Sequence, residues 1–318
     1  MRYSNALSRR KMLQKTGLLV GASLLPGLAI SKKSTFQEAK HNFTFCLNTS
    51  TIREQNLGLM KEIETAAKAG YDGVEIWVRT LEDYVEKGGK LSDVKKKAED
   101  LGLVIENAIS FPKWIVDDES ERKQALDQAR KEMNMLAKIG CKRIAAPPVG
   151  ATDTKGLNLN KAADRYYELL KIGDETGVLP QLELWGFSAN LHLFGEVLYV
   201  AAESGHPKAC ILPDVYHIYK GGSDFNSLKM LNGSAIHMFH VNDYPANPSR
   251  TTIGDKDRVY PGDGVAPLNQ IVSDLNNKNS PIVLSLELFN QEYWKQDAMT
   301  VAKTGLKKMK ESVRKALS

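Results

Sequence analysis

The stretch Cys210–His217 reads C-I-L-P-D-V-Y-H. A short apolar run ends on an acid, Asp214, and His217 follows three residues later. A lone carboxylate at the end of an apolar run is costly to bury unless something offsets its charge. The same device recurs three times. Gln181–Gly186 (Q-L-E-L-W-G) carries Glu183, Ile236–Tyr244 (I-H-M-F-H-V-N-D-Y) carries His240, and Ile282–Asn290 (I-V-L-S-L-E-L-F-N) carries Glu287. Successive strand-like segments thus each present one oxygen or nitrogen donor, an order that makes sense if the four converge on a cation. Three carboxylates and one imidazole suit one divalent ion, Mn2+, Mg2+ or Co2+ ahead of Zn2+.

Working outward, the same kind of apolar run recurs at Phe43–Leu47, Gly73–Val78, Leu103–Ile109 and Arg143–Ala146, with Leu182–Trp185, Ile211–Val215, Ile236–Val241 and Ile282–Leu288 completing the set. Continuous apolar runs mark strands buried on both faces. Helical patterns lie between them: Leu57–Ala69, Leu91–Leu101, Glu119–Ile139, Lys161–Thr176, Phe194–Ser204, Asp224–Leu231, Pro267–Asn276 and Gln296–Leu317. Several stop at a glycine, at Gly70, Gly102, Gly140 and Gly177, the usual helix-ending signal. Strand and helix alternating in this way predict a single-domain α/β fold, a (β/α)8 TIM barrel. The competing open doubly wound sheet would want a glycine-rich turn after the first strand; here the turn is Asn48-Thr49-Ser50-Thr51-Ile52-Arg53.

Charge separates the chain into two parts. Residues 1–37 hold seven basic side chains and no acid; setting them aside turns 43 Lys and Arg against 38 Asp and Glu into 36 against 38, a net of −2. A near-neutral body offers no surface for nucleic acid. Ser8-Arg9-Arg10-Lys11-Met12-Leu13, followed by an apolar run from Gly17 to Ile30 with small residues at its end, reads as a secretory signal of twin-arginine type. Residues 1–36 are therefore expected to be a leader, 37–318 the barrel, and the location periplasmic. The apolar run is shorter than the ~20 residues of a membrane span, so no stable anchor is expected once the leader is removed. Cys46, Cys141 and Cys210 show neither zinc nor disulfide spacing and read as buried core thiols.

The donor set, the Asp214-x-x-His217 pair, the Arg258-x-x-Pro261-Gly262-x-Gly264 segment and Glu287 together resemble the xylose-isomerase-like barrels, across residues 43–316. That family includes sugar isomerases, ketose 3-epimerases, inosose dehydratases, hydroxypyruvate isomerases and endonuclease IV. The resemblance implies that Glu183, Asp214, His240 and Glu287 bind metal, that Glu183 and Glu287 also serve as the acid/base pair, and that His217 and Arg258 hold the substrate. One position departs: the further substrate-binding Glu of the ketose 3-epimerases, six residues after the first Glu ligand, is Ala189 here.

The chemistry follows from the residues as well. A metal on a carbonyl oxygen stabilises the enediolate left when a neighbouring C–H loses its proton, and two carboxylates can remove and return that proton. Return to the same carbon makes an epimerase, return to the neighbour an isomerase, and loss of a leaving group a lyase. The expected function is a metal-dependent sugar isomerase or epimerase acting on a free sugar or keto-sugar. A lyase or dehydratase on a 3-keto sugar or glycoside is the alternative, ahead of a non-catalytic sugar-binding protein. A homo-oligomer is compatible with all three. Glu75, Asn107 and Trp114 are further substrate-contact candidates, with Trp185 as a stacking wall and Asn190 and His192 as weaker ones. No glycine-rich phosphate loop follows strand seven or eight, where barrels often hold phosphate; Asp255, Asp257 and Asp263 lie there beside Lys256 and Arg258.

Overall fold

The structure is a computed structural model that describes residues 41–318; the expected leader lies outside the described residues. Eight parallel strands follow one another: β1 Phe43–Asn48, β2 Gly73–Trp77, β3 Val104–Ile109, β4 Arg143–Ala146, β5 Leu179–Glu183, β6 Ile211–Leu212, β7 Met238–Val241 and β8 Ile282–Leu286. They pair as β3-β2-β1-β8-β7 and β4-β5-β6. The two arcs close into a barrel through Lys142 N donating to Ile105 O at 3.3 Å and His240 N donating to Pro213 O at 3.0 Å, with bridges at Ile211/Ile236 and Asp214/His240. The expected (β/α)8 barrel is what the chain forms.

The α-helices are α1 Leu59–Ala69, α2 Val78–Glu86, α3 Leu91–Asp100, α4 Glu119–Lys138, α5 Leu159–Thr176, α6 Phe194–Glu203, α7 Val215–Gly221, α8 Leu268–Asn276, α9 Gln291–Trp294 and α10 Ala298–Leu317. Asp118, Asn158 and Asp297 cap the starts of α4, α5 and α10 by accepting backbone N–H groups. Gly70 and Gly177 close α1 and α5 in the left-handed conformation. Residues 224–231 correct the helical reading: Phe225–Met230 is a 3-10 turn.

Two apolar regions hold the barrel. Helices pack on its outer face in one large cluster, and Cys46, Ile109, Ala145, Leu212, Met238 and Val283 fill the interior. Side chains alternate along a strand, so each interior position repeats two residues on. Met238 is followed inward by His240, Val283 by Ser285 and then Glu287, Gln181 by Glu183, and Glu75 by Trp77. The interior is thus apolar low down, polar at the level of Glu75, Asn107, Gln181, His240 and Ser285, and open above. The three cysteines are buried and free, and burial pushes the Cys141 and Cys210 thiols up to about 12, as inert core thiols require.

Candidate active site

The opening stretch folds differently from a plain strand. β6 ends after two residues because Pro213 has no N–H to give the ladder. Asp214 is then extended (φ −142°, ψ 141°), and its Oδ1 accepts the N–H of His217 at 2.9 Å, which starts α7. One carboxylate oxygen caps a helix and leaves Oδ2 for the site. Glu287 lies one residue past β8, Glu183 is the last residue of β5, and His240 is inside β7. All four expected donors lie at the C-terminal end of the barrel, though two stand just beyond their strands.

Three of them form a compact group. The donor atoms of Asp214, His240 and Glu287 lie within 4.8 Å of one another, all buried. Glu183 lines the adjoining cavity but stands outside this group, so as placed here the expected four-donor set is a triad with a neighbour. His240 Nδ1 is 3.2 Å from Glu287 Oε2 and 3.8 Å from Asp214 Oδ2, without the alignment of a hydrogen bond, and has no other partner. Two carboxylates and an orphaned imidazole nitrogen sharing one pocket fit a divalent cation.

Arg258 meets the same oxygens from above. Its Nη1 donates to Asp214 Oδ2 at 3.1 Å and Glu287 Oε2 at 2.8 Å, and its Nη2 reaches His217 Nε2 at 3.0 Å and the Asp255 carboxylate. Asn242 Nδ2 donates to Asp214 Oδ2 at 2.9 Å, and Asn48 Nδ2 to Glu287 Oε1 at 3.0 Å. The loop that carries Arg258 is tied down by Asp243, whose carboxylate accepts the N–H groups of Tyr244, Gly262, Gly264 and Ala266 at 2.8–3.0 Å. Gly262 needs its positive φ of 89°, and a Cβ on Gly264 would stand 2.3 Å from Asp243 Oδ1. The turn at Pro261–Gly264 is thus built around Asp243, which the sequence pattern does not single out.

The electrostatics follow from burial and neighbours. Burial pushes the Glu183 carboxyl up to about 8, although His240 works against it. Burial alone would also raise Glu287, but His240 and Arg258 outweigh it and hold its carboxyl well below the usual range. Burial would lower His240; Glu287 and Glu75 outweigh it and raise the imidazole well above 6.5. His217 goes the other way, lowered to about 4 by burial and then by Arg258, so it is a neutral imidazole at pH 7. The cavity above holds about 430 Å3 and is lined by Glu183, His217, Arg258 and Glu287 on one side and by Trp77, Phe111, Trp185, Phe187 and Phe289 on the other.

Three expected substrate contacts are corrected by their placement. Glu75 is fully buried beneath His240. Asn107 is fully buried and donates to Glu75 Oε1 at 2.7 Å. Trp114 is fully buried, with its Nε1 donating to Pro147 O at 2.9 Å and its ring against Tyr166. None of the three lines the cavity. Asn190 is also structural, bonded to Ala151 O and Thr154 O, and His192 sits beside Glu196. Trp185 does line the cavity. Arg53, Trp77, Phe111, Phe187 and Phe289 were missed; for the four aromatics the available signal was an aromatic residue at a strand end or within a few positions after it.

A family model described as xylose isomerase-like TIM barrel matches residues 63–312. The inosose isomerase of Bacillus velezensis is 28% identical over 267 residues, which is 81% of this chain and 93% of that protein. The 3-dehydroshikimate dehydratase of Pseudomonas putida is 22% identical over 259 residues, 79% of this chain and 39% of that protein. The crystal structure of IolI protein with a bound zinc atom superposes with a TM-score of 0.80 and 26% identity, over 86% of this chain and 98% of that one.

Proposed function

The chain belongs to the xylose isomerase-like TIM barrel family, and we propose that it is a metal-dependent isomerase or epimerase of a free sugar or keto-sugar. The observation that carries this reading is the buried Asp214–His240–Glu287 group beneath a cavity faced by Glu183, His217 and Arg258. A divalent ion held by the group, with Glu183 as its fourth donor, would supply Lewis acidity to oxygens on two neighbouring substrate carbons. Glu287, held ionised by His240 and Arg258, takes the proton from the carbon next to the carbonyl. Glu183, the other carboxyl that faces the cavity, returns one. Opposed environments for two carboxyls are what an acid/base pair needs. Arg258 donates hydrogen bonds to the oxygen on which charge develops, and neutral His217 positions it by accepting from its Nη2.

The test is incubation with Mn2+ in D2O against a panel of free and 3-keto sugars, read by NMR. Deuterium entering one carbon beside the carbonyl is expected. No exchange and no new sugar signal from any member would overturn the reading. The 3-dehydroshikimate dehydratase likeness favours elimination as the second reading, which the same spectra would show as loss of a substituent. Mn2+, Mg2+, Co2+ and Zn2+ are compared in parallel, since the similar IolI structure holds zinc.

The paired Arg9-Arg10 and the acid-free start support export of the protein to the periplasm, where unphosphorylated sugars are the available substrates. Fractionation that finds the protein only in the cytoplasm, or kinetics that strongly prefer a sugar phosphate, would sink this part. No α-helix of the described residues is long and apolar enough to cross a membrane.

A further inference from the structure

Asn48 closes β1, and β1 lies beside β8 in a register that pairs Leu47 with Leu286. The next residues of the two strands, Asn48 and Glu287, therefore stand side by side at the strand tips. Asn48 is fully buried and caps the 3-10 helix Thr49–Gln55. Its Oδ1 accepts the Ser50 N–H at 2.9 Å and the Trp77 Nε1–H at 3.2 Å. Both partners can only donate. That fixes the amide orientation and turns Nδ2 to Glu287 Oε1 at 3.0 Å. Capping alone does not call for an amide here, since Ser or Asp caps a helix about as well. The NH2 half of the side chain serves Glu287 instead.

We propose that Asn48 is a positioning residue for Glu287: it ties Oε1 back, so that Glu287 meets the divalent ion through Oε2 alone. The inference rests on the reading of Glu287 as both ligand and base. Each carboxylate oxygen has two lone pairs. With Oε1 tied only to Asn48, its second lone pair stays open for the substrate proton. An ion gripping both oxygens would draw off the electron density a base needs. Oε2 already faces the donor group, with Arg258 Nη1 donating to it at 2.8 Å and His240 Nδ1 3.2 Å away. Asp214 shows the same division: Oδ1 is held by the His217 N–H at 2.9 Å, and Oδ2 is turned to Arg258 and the group. Each carboxylate of the group thus has one oxygen anchored and one offered. For Asp214 the anchor is backbone. For Glu287 it is a side chain, steadied in turn by Trp77 on the cavity wall. Asn48 itself does not line the cavity, so it acts through Glu287 and not on the substrate.

The test loads the full chain with Co2+, whose visible absorption weakens as oxygens are added to its coordination shell. Asn48→Ser keeps a capping oxygen and loses the NH2 donor, whereas Asn48→Ala loses both. In each variant the released Oε1 should join the ion. Both spectra are therefore expected to shift from wild type to the same weaker bands, while Asn48→Ser melts closer to wild type than Asn48→Ala does. A wild-type spectrum in both variants would overturn the proposal. So would a wild-type spectrum in Asn48→Ser alone, which would leave Asn48 as a cap only. If neither variant folds, a crystal structure of the Co2+-loaded wild type decides. Oε1 held by Asn48 and clear of the ion is expected there, and both Glu287 oxygens on the ion would refute the role. Wild type that takes up no Co2+ removes the cation reading and the role of Asn48 with it. Uptake of Co2+ with unchanged variant spectra removes the role of Asn48 alone.

Discussion

Glu75 grips His240 from below: its Oε1 lies 3.0 Å from Nε2, across the barrel from β2 to β7. The same carboxylate accepts from Asn107 Nδ2 and Ser285 Oγ. Nε2 therefore carries the hydrogen in this bond, and Nδ1 is turned toward Asp214 and Glu287. A carboxylate behind a histidine ligand fixes its tautomer and raises its basicity.

Glu75→Gln should therefore weaken divalent-ion binding by about 10–100-fold while the barrel stays folded. One amide oxygen cannot serve all three donors, and the amide NH2 would face one of them. Titration calorimetry with Mn2+ reads the effect directly, and wild-type affinity in the variant would remove this role from Glu75.

Cation binding should release protons. The raised His240 pKa leaves the imidazole protonated at pH 7 when no ion is bound, and a ligand nitrogen must lose that proton. Affinity should consequently rise with pH across the neutral range. Heats measured in buffers of different ionisation enthalpy count the protons; a count of zero at pH 7 would contradict the charge assigned to His240.

Arg258→Lys keeps the charge and loses the planar fork that reaches Asp214, Glu287 and His217 together. The expected loss is about 100-fold in turnover of whichever sugar exchanges deuterium. Turnover equal to wild type would show that the fork is dispensable.

Away from the site, Glu62 in α1 is buried with Oε2 unpaired, and burial raises its carboxyl to about 7. The folded state thus holds the proton more tightly than the unfolded chain does. The stability this contributes is complete below about pH 4.5 and is lost as pH rises through about 7. Glu62→Gln should flatten that decline and raise the melting temperature at pH 8, by an effect of no more than about 3 kcal/mol. Parallel pH–melting curves for wild type and variant would show the idea to be wrong.

The barrel was legible because its strands are apolar on both faces and its helices stop at glycines, both local signals. Asp214, His240, Glu287, His217 and Arg258 were legible because each breaks an apolar run or sits by a turn. The errors came from depth. Glu75, Asn107 and Trp114 look alike in sequence whether they face the mouth or the layer beneath it, and the difference is set by strand stagger, which only pairing across the barrel fixes. Asp243 was missed because three of its four partners are backbone N–H groups 19 and more residues away. Helix α7 was missed because its N-cap is the same Asp214 that was read as a strand tip.

The mouth of this barrel is divided between two sets of loops. Charged and hydrogen-bonding groups come mainly from β5 to β8, whereas Phe289, Trp77 and Phe111 come from β8 through β3 and Arg53 from the 3-10 helix Thr49–Gln55; Trp185 and Phe187 share the segment after β5 with Glu183. Change at Phe111 or Arg53 can therefore accumulate without touching the polar set, whereas Phe187 packs against His217. Gene copies descended from one such chain could diverge in what they accept by exchanging Phe111 or Arg53, and all would inherit the same reacting centre unchanged.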